Sequence, residues 1–174
     1  MKKVNIVTDT REQKNGHIID ELDELGVMHE SKKLDYGDYS FQIDGKDFSS
    51  ICVIERKANI NEVYGNISFD RERIEKELDT MAKNANQRIF LIENVRDWDA
   101  LKNFMLSDND MKNNDRKVKN IGMTCYSTLQ AWKCGNRYNF TVEFVPDIKK
   151  TAAKILEIFY WYYHNYKKLT AARK

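Results

Sequence analysis

The sequence predicts an α/β domain with a central mixed β-sheet flanked by helices. Short apolar runs typical of buried strands alternate along the chain with stretches whose apolar residues recur at helical spacing. The chain has 174 residues, which is enough to bury a sizeable core, and neither a repeat nor a linker divides it. We therefore expect a single domain over residues 1–174.

A strand and a helix are predicted at the start of the chain. An apolar run over residues 4–8 ends at Asp9 and predicts the first strand. Residues 17–27 carry isoleucines and leucines at helical spacing, and Gly26 is a typical C-terminal stop. We therefore expect the chain to open with a short buried strand followed by an amphipathic helix.

Strand signals dominate the next segment. A turn signal at Gly37 and Asp38 is followed by alternation of apolar and polar residues over 39–43, which predicts a strand or a hairpin arm. The apolar run of residues 51–54 then leads into Glu55 and predicts another buried strand. Hairpin-like strands that follow a helix favour a mixed sheet.

The second half of the chain continues the alternation. Residues 68–87 form the clearest helix, with four apolar residues on one face and Asp70 as a plausible cap. A strand is predicted over 88–94 and a short helix over 98–106.

The last three predicted elements are a helix, a strand and a long helix. A helix over residues 120–135 is closed by Gly135, and an apolar strand follows over 140–145. Pro146 and Asp147 then start the final helix. It carries more apolar and aromatic residues than one core face needs, so it is buried on more than one side or meets a partner. Core packing and a homodimer face both remain open.

The composition describes a globular protein with a heavily ionic surface. Hydrophobic residues make up 41% of the chain and charged residues 32%, and the net charge of +2 does not by itself indicate nucleic acid. No apolar stretch approaches the roughly 20 residues that span a bilayer, and the N-terminus lacks the apolar core of a signal peptide. We therefore expect a cytoplasmic protein without a membrane partner.

The cysteines and histidines do not have the spacing of a zinc site. Cys52, Cys125 and Cys134 lie far apart and cannot all form disulfides with one another, so we expect reduced thiols buried as small apolar groups. The three histidines are scattered in the same way.

Three carboxylates stand where the sheet would present them together. Asp9 ends the first strand, Asp38 follows a glycine at a turn, and Glu55 ends the third apolar run. Any one of them alone could be a solvated strand end. Residues two apart on a strand point to the same face, so Glu55 and Lys57 would project together while Arg56 points away.

Such a constellation suits the hydrolysis of phosphodiester bonds. Two or three carboxylates favour a hard cation such as Mg²⁺ or Mn²⁺, which lowers the pKa of a bound water and polarises the phosphoryl group. A neighbouring ammonium can orient that water or stabilise developing negative charge. An acid at a turn followed by Glu-x-Lys on a strand is also the core pattern of the PD-(D/E)XK-type nuclease folds.

A closer resemblance rests on three segments in a fixed order. The chain resembles the XPF/MUS-type structure-specific endonuclease domain in the segments VTDTREQ, LDYGDYSF and VIERKANINEV. The segments GNISFDRERIEKELDTM, RIFLIEN and DIKKTAAKIL further downstream are also similar to that family. The resemblance spans roughly residues 5–168 and implies a restriction-endonuclease-like nuclease fold.

The chain departs from the family pattern in two respects. The last acid of the third motif falls at Asn61, with Glu62 beside it, so the rate or the metal preference is in doubt more than the activity. The 174 residues also contain neither the tandem helix-hairpin-helix module nor the helicase of larger relatives. We therefore expect branched DNA to be bound by the nuclease domain itself, by a dimer or by another protein.

The resemblance implies catalytic and metal-binding roles for four residues. Asp38 and Glu55 would be the principal metal ligands, with Asp9 nearby or contributing through water. Lys57 would position the attacking water or stabilise the charged phosphate.

Supporting and DNA-binding roles are implied for further side chains. Arg11 and Arg56 would brace the acids or hold the DNA backbone, Glu12 would orient these cations, and Asn61 would hydrogen-bond or ligate weakly. Arg71, with Arg73 as its rival, would contact DNA from the following helix; the alternative for both is a solvated helix face. Phosphate contacts of this kind give affinity without reading sequence, so DNA shape would be recognised.

The resemblance therefore implies an endonuclease dependent on Mg²⁺ or Mn²⁺. It would hydrolyse flapped, forked or junction DNA in repair or recombination, and it would suit a phage-encoded enzyme acting in its host's cytoplasm. The alternative is a non-catalytic DNA-binding or dimerisation partner subunit of a nuclease. A restriction-like or resolvase-like nuclease that shares only the metal site is a third possibility.

Overall fold

A mixed β-sheet lies at the centre of the domain, as the sequence predicts. The structure is a computed structural model and describes residues 3–113, 118–134 and 137–171. The seven strands found in those ranges are β1 (Val4–Thr8), β2 (Met28–Ser31), β3 (Tyr39–Ile43), β4 (Lys46–Asp47), β5 (Cys52–Lys57), β6 (Gln87–Glu93) and β7 (Thr141–Val145). Their order is β2-β1-β3-β5-β6-β7, with β4 paired to β3.

Helices cover both faces of the sheet. They are α1 (Gly16–Glu24), α2 (Ile60–Ser68), α3 (Arg71–Asn84), α4 (Trp98–Lys102), α5 (Asp108–Asn113), α6 (Ile121–Lys133) and α7 (Thr151–Ala171). A single 3₁₀ turn, Ile148–Lys150, precedes α7. None of the helices in the described ranges is both long and apolar enough to cross a membrane.

Strand direction brings several chain ends to one edge of the sheet. β5, β6 and β7 run parallel to one another, and β3 runs antiparallel to both β1 and β5. The C-terminal ends of β1 and β5 therefore meet the N-terminal start of β3 at the same edge. Asp9 follows β1, Asp38 precedes β3 and Glu55 lies near the end of β5, so the fold places all three predicted acids at this edge.

Two apolar clusters sandwich the sheet, and the strands alternate between them. On β5, Val53 packs against α2, α3 and α6, whereas Cys52 and Ile54 pack against α1 and α7. β6 is buried on both faces in the same way, which accounts for its continuous apolar run. The two apolar clusters thus fix the positions of the strands whose ends carry the acids.

The structure corrects three details of the sequence interpretation. Helix α2 was not predicted; it begins after Asn59, whose side chain accepts a hydrogen bond from the Glu62 amide. Asp70 occupies the cap position of α3, but its side chain makes no capping hydrogen bond. The final helix begins at Thr151 rather than directly after Asp147. Gly135, the predicted stop of α6, lies outside the described residues.

The cysteines agree with the prediction in part. Cys52 and Cys125 are free and buried, as expected, but Cys134 is exposed at the C-terminal end of α6. The prediction that all three thiols are buried is therefore wrong for Cys134.

A tight backbone approach at Gly122 gives a test of the packing. A Cβ added there would overlap the carbonyl oxygen of Leu101 and lie 2.8 Å from the backbone N and O of Phe104. We expect Gly122→Ala to lower the free energy of unfolding by about 1–3 kcal/mol, the usual effect of overpacking. Chemical denaturation of both proteins measures the difference.

The matched control is Gly16→Ala at the start of α1. No described atom lies within 4 Å of a Cβ at Gly16, so we expect no loss of stability there. Equal unfolding free energies for Gly122→Ala and Gly16→Ala would contradict the close approach of α6 to the segment after α4.

Candidate active site

A polar cavity of about 630 Å³ opens at the edge of the sheet where the acids meet. It lies between the loop after β1, the start of β3, the end of β5 and helices α2 and α3. Its lining residues are Arg11, Glu12, Gln13, Lys14, Asp38, Glu55, Arg56, Lys57, Ala58, Asn59, Glu62, Arg73 and Glu77. Most of the predicted site residues are therefore brought together in one place.

Asp38 is held at the cavity wall by its turn and by β5. Its backbone N–H donates to the Ile54 carbonyl at 2.8 Å, and its carboxylate accepts the Arg56 amide at 2.7 Å. Gly37 makes this approach possible because its φ is +69° and a Cβ there would overlap the side chain of Val53. The Gly37 amide in turn donates to Glu77 on α3 at 2.7 Å.

Glu55 and Lys57 project from β5 to the same side, as their spacing predicts. The Lys57 ammonium donates to the Glu55 carboxylate at 2.6 Å, and both side chains are buried. The same ammonium lies 3.9 Å from a Glu62 oxygen and 5.9 Å from the centre of the Phe90 ring. The Lys57 ammonium therefore lies close to the carboxylates of Glu55 and Glu62 at the cavity.

The crowding of charges shifts the protonation of two groups. Burial, and next the charge of Glu55, hold the pKa of Asp38 well above its usual value. Burial works to lower the pKa of Lys57, but the charges of Glu55 and Asp38 outweigh it and raise that pKa. The site therefore combines a permanent ammonium with an acid that a further cation would help to ionise.

Asp9 is buried, but it is not among the residues that line the cavity. One of its oxygens accepts from the backbone N and the Nε of Arg11 at 2.8 and 2.6 Å, and the other accepts the Leu34 amide at 2.6 Å. Burial works to raise the pKa of Asp9, yet the hydrogen bonds from Arg11 and Leu34 leave it lowered. The geometry favours a role in fixing the loops and Arg11 over direct ligation of a metal.

Arg56 points away from Glu55 and Lys57, as predicted, and its side chain is only 4% exposed. Its guanidinium donates to Glu93 at the end of β6 and, at 3.4 Å, to Glu12. This burial favours bracing of acids over contact with DNA. Arg11 also lines the cavity but, unlike Arg56, has a side chain that is 59% exposed.

Glu62 lines the cavity, whereas Asn61, the predicted site residue beside it, does not. Asn61 is exposed on the first turn of α2 and does not line the cavity, whereas Glu62 does. The Glu62 carboxylate accepts the Ala58 amide at 2.8 Å, which fixes it over the end of β5. The structure thus places Glu62 and not Asn61 at the cavity, and the supporting role of Asn61 stays a prediction.

Arg73 faces the cavity, and Arg71, the arginine first expected to contact DNA, does not. Arg73 is exposed and lines the cavity wall on α3. Arg71 instead pairs with Glu75 at 2.9 Å and lies 5.5 Å from the centre of the Trp132 ring. A helix turns by about 200° over two residues, so the two side chains leave α3 in different directions.

The donor set suits a hard divalent cation that keeps several waters. Among the described residues, no group of three His, Cys, Asp or Glu side chains is close enough together to hold a metal alone. Mg²⁺ commonly binds through one or two carboxylates and completes its shell with water. Asp38 and Glu55 offer oxygen ligands at a polar cavity, and burial and next the charge of Glu55 raise the pKa of Asp38, which a bound cation would lower again.

Comparison with known proteins shows the family to which this chain belongs. The family model described as the ERCC4 domain matches residues 8–158, from the end of β1 into α7. The chain belongs to the ERCC4 domain family. This family comprises structure-specific DNA nucleases, so the polar cavity lies in a domain of a nuclease family.

Solved structures show that the ERCC4 domain fold extends over nearly the whole chain. XPF from Aeropyrum pernix superposes with a TM-score of 0.63 at 18% identity, covering 97% of this chain and 68% of that one. A complex of XPF from Aeropyrum pernix with DNA gives 0.60 at 18% identity, covering 91% and 64%. The chain thus spans about two thirds of those proteins. No curated protein sequence matches it.

The raised pKa of Asp38 predicts how stability depends on pH without metal. The native state binds a proton at Asp38 more tightly than the unfolded state, so stability falls as pH rises from the ordinary value of 3.8 through the raised pKa. We expect Asp38→Asn in EDTA to raise the melting temperature by a few degrees at neutral pH, with the gain shrinking as pH falls.

Melting curves over a pH series measure this gain. The control is Asp79→Asn, because Asp79 lies on the exposed face of α3 and its side chain is 53% exposed. We expect its curve to follow that of the unmodified protein. A melting temperature of Asp38→Asn below that of the unmodified protein at neutral pH would contradict the prediction.

Proposed function

We propose that this ERCC4 domain is a metal-dependent endonuclease that hydrolyses phosphodiester bonds in branched or structured DNA. The observation that carries the proposal is the grouping of Asp38, Glu55 and Lys57 at a polar cavity open to solvent. Membership in a nuclease family supports the reaction class. Cleavage of flaps, forks or junctions is chemistry that DNA repair and recombination require, and we propose a role there.

Asp38 and Glu55 would bind the metal, and Lys57 would stabilise the negative charge of the phosphate. A bound Mg²⁺ or Mn²⁺ would supply Lewis acidity toward the phosphoryl oxygen and a lowered pKa for a water ligand. Lys57 keeps its proton because its pKa is raised, so it can stabilise negative charge on the phosphate. Glu62 lies over the same ammonium and would limit its movement.

The exposed cations at the cavity would bind the DNA backbone. Arg11 and Lys14 stand on the loop after β1 and Arg73 on α3, so basic side chains flank the acids on two sides. Ion pairs with phosphates give affinity that depends on salt and not on base sequence. We therefore propose that the domain selects DNA by shape. The similarity to an XPF complex with DNA supports this choice of partner.

Cleavage of labelled DNA tests the proposal directly. Flap, fork, Holliday-junction and linear duplex DNAs are incubated with Mg²⁺, Mn²⁺ or EDTA. We expect a branched substrate to be cut with either metal and none to be cut in EDTA. We expect Asp38→Asn, Glu55→Gln and Lys57→Met each to lower the cleavage rate about a hundredfold or more.

The control variant is again Asp79→Asn, which leaves the cavity intact. Its cleavage rate should equal that of the unmodified protein. Normal cleavage by Asp38→Asn or Glu55→Gln would contradict the assignment of the site. Binding of branched DNA without cleavage under any metal would instead identify the domain as a non-catalytic DNA-binding partner.

We also propose that the domain forms a homodimer through α7. One side of this helix packs on the sheet through Ala152, Ile155 and Phe159. Tyr160 and Trp161 on another side are 61% and 54% exposed. Large aromatic residues at this exposure are typical of interfaces.

Light scattering after size exclusion tests the dimer. We expect the unmodified protein to elute at twice the chain mass of 20.6 kDa at micromolar concentration. Trp161→Glu should give the monomer, whereas Met105→Glu, at an equally exposed residue outside α7, should not. A monomeric unmodified protein would contradict the proposal.

A further inference from the structure

Glu93 is a buried acid that the sequence interpretation did not include among the site residues. It is the last residue of β6, is 1% exposed, and lies on the strand next to that of Glu55 and Lys57. Its carboxylate accepts hydrogen bonds from three elements. The donors are Arg56 on β5, His17 Nε2 on α1 at 2.8 Å and Thr151 Oγ1 on α7 at 2.6 Å.

Arg56 connects this buried acid to the cavity. Its guanidinium donates to Glu93, while its backbone N–H donates to the carboxylate of Asp38 at 2.7 Å. The arginine side chain is anchored to β6, while its amide holds the carboxylate of Asp38 beside β5. Arg56 is thus the residue through which hydrogen bonds connect Glu93 to Asp38.

Stability alone does not account for a buried ion pair at this position. Replacing such a pair by well-packed apolar residues is often neutral or stabilising, because both charges lose their hydration. Glu93 joins α1 to α7 through His17 and Thr151, but a second set of hydrogen bonds also joins these helices. Glu21 accepts the amides of Ala152 and Ala153 at 2.7 and 3.1 Å. Glu93 differs from Glu21 in that it contacts Arg56.

We propose that Glu93 is a positioning residue that acts through Arg56 to orient Asp38 for metal binding. This inference rests on the function proposed above. Glu93 itself does not line the cavity. Residues that orient metal ligands from behind typically contribute a factor of about 10–100 to metal affinity or activity.

The binding of Mn²⁺, measured by isothermal titration in the absence of DNA, tests the proposal. Glu93→Gln keeps the shape of the side chain but removes its charge, and we expect it to weaken Mn²⁺ binding by about 10–100-fold. Glu93→Asp, which restores the charge, should recover part of the affinity. In cleavage assays kcat should fall while the KM for DNA stays unchanged.

The matched control is Glu21→Gln, which loosens the same two helices without touching Arg56. It should lower the melting temperature but bind Mn²⁺ as the unmodified protein does. In an Arg56→Met background, Glu93→Gln should weaken Mn²⁺ binding no further, because the route through Arg56 is already lost.

Several outcomes would overturn the inference. Unchanged Mn²⁺ affinity in Glu93→Gln would do so, as would an equal loss in Glu21→Gln. If Mn²⁺ binding is lost in Asp38→Asn but kept in Glu93→Gln, only this inference fails. If the unmodified protein neither binds Mn²⁺ nor cuts DNA, the proposed function fails with it.

If Glu93→Gln does not fold, a second variant with a smaller change at the same hydrogen bonds tests the proposal. Thr151→Val is nearly isosteric and removes one donor to Glu93 while leaving the charge in place. We expect it to fold and to weaken Mn²⁺ binding several-fold. Affinity equal to that of the unmodified protein would then overturn the proposal.

Discussion

The candidate site depends on hydrogen bonds that join the ends of three strands through Asp38. The Asp9 amide donates to the Asp38 carbonyl at 2.8 Å, and the Asp38 amide donates to the Ile54 carbonyl at 2.8 Å. The Asp38 carboxylate then accepts the Arg56 amide at 2.7 Å. Because all three bonds meet at one residue, the turn before β3 cannot move without moving the motif after β1 and the end of β5. The left-handed backbone of Gly37 allows this turn to lie so close to β5.

The same closeness creates an electrostatic cost that the fold only partly offsets. Asp38 and Glu55 share a site with limited hydration, so the pKa of Asp38 is raised by burial and by its neighbour's charge. Lys57 compensates part of this charge at 2.6 Å from Glu55. Sites built for binding commonly keep such residual repulsion, since the ligand removes it. The cation that we propose for this site would relieve the same repulsion between Asp38 and Glu55.

The fold and the core of the site could be predicted because their signals are local. Periodicity fixes strands and helices, and alternation on β5 places Glu55 and Lys57 together. Residues whose roles depend on tertiary placement were harder to assign. Asn61 and Glu62 differ by one position on a helix that the sequence did not reveal, although Asn59 followed three residues later by Glu62 is a capping signature. The order of Arg71 and Arg73 depends on the rotation of α3, which periodicity alone does not determine.

Glu93 illustrates a signal that was present but ambiguous. It ends an apolar strand just as Glu55 does, yet an acid at a strand end is often only a solvated stop. What distinguishes Glu93 is the register of β6 on β5, which places it just beyond the partner of Lys57. With that register, the side chains of β5 make two separate sets of contacts. Glu55 and Lys57 face the cavity, and the guanidinium of Arg56 contacts Glu12 and Glu93. The side of β5 for which we propose catalysis is therefore backed by a hydrogen-bonded side that is itself buried.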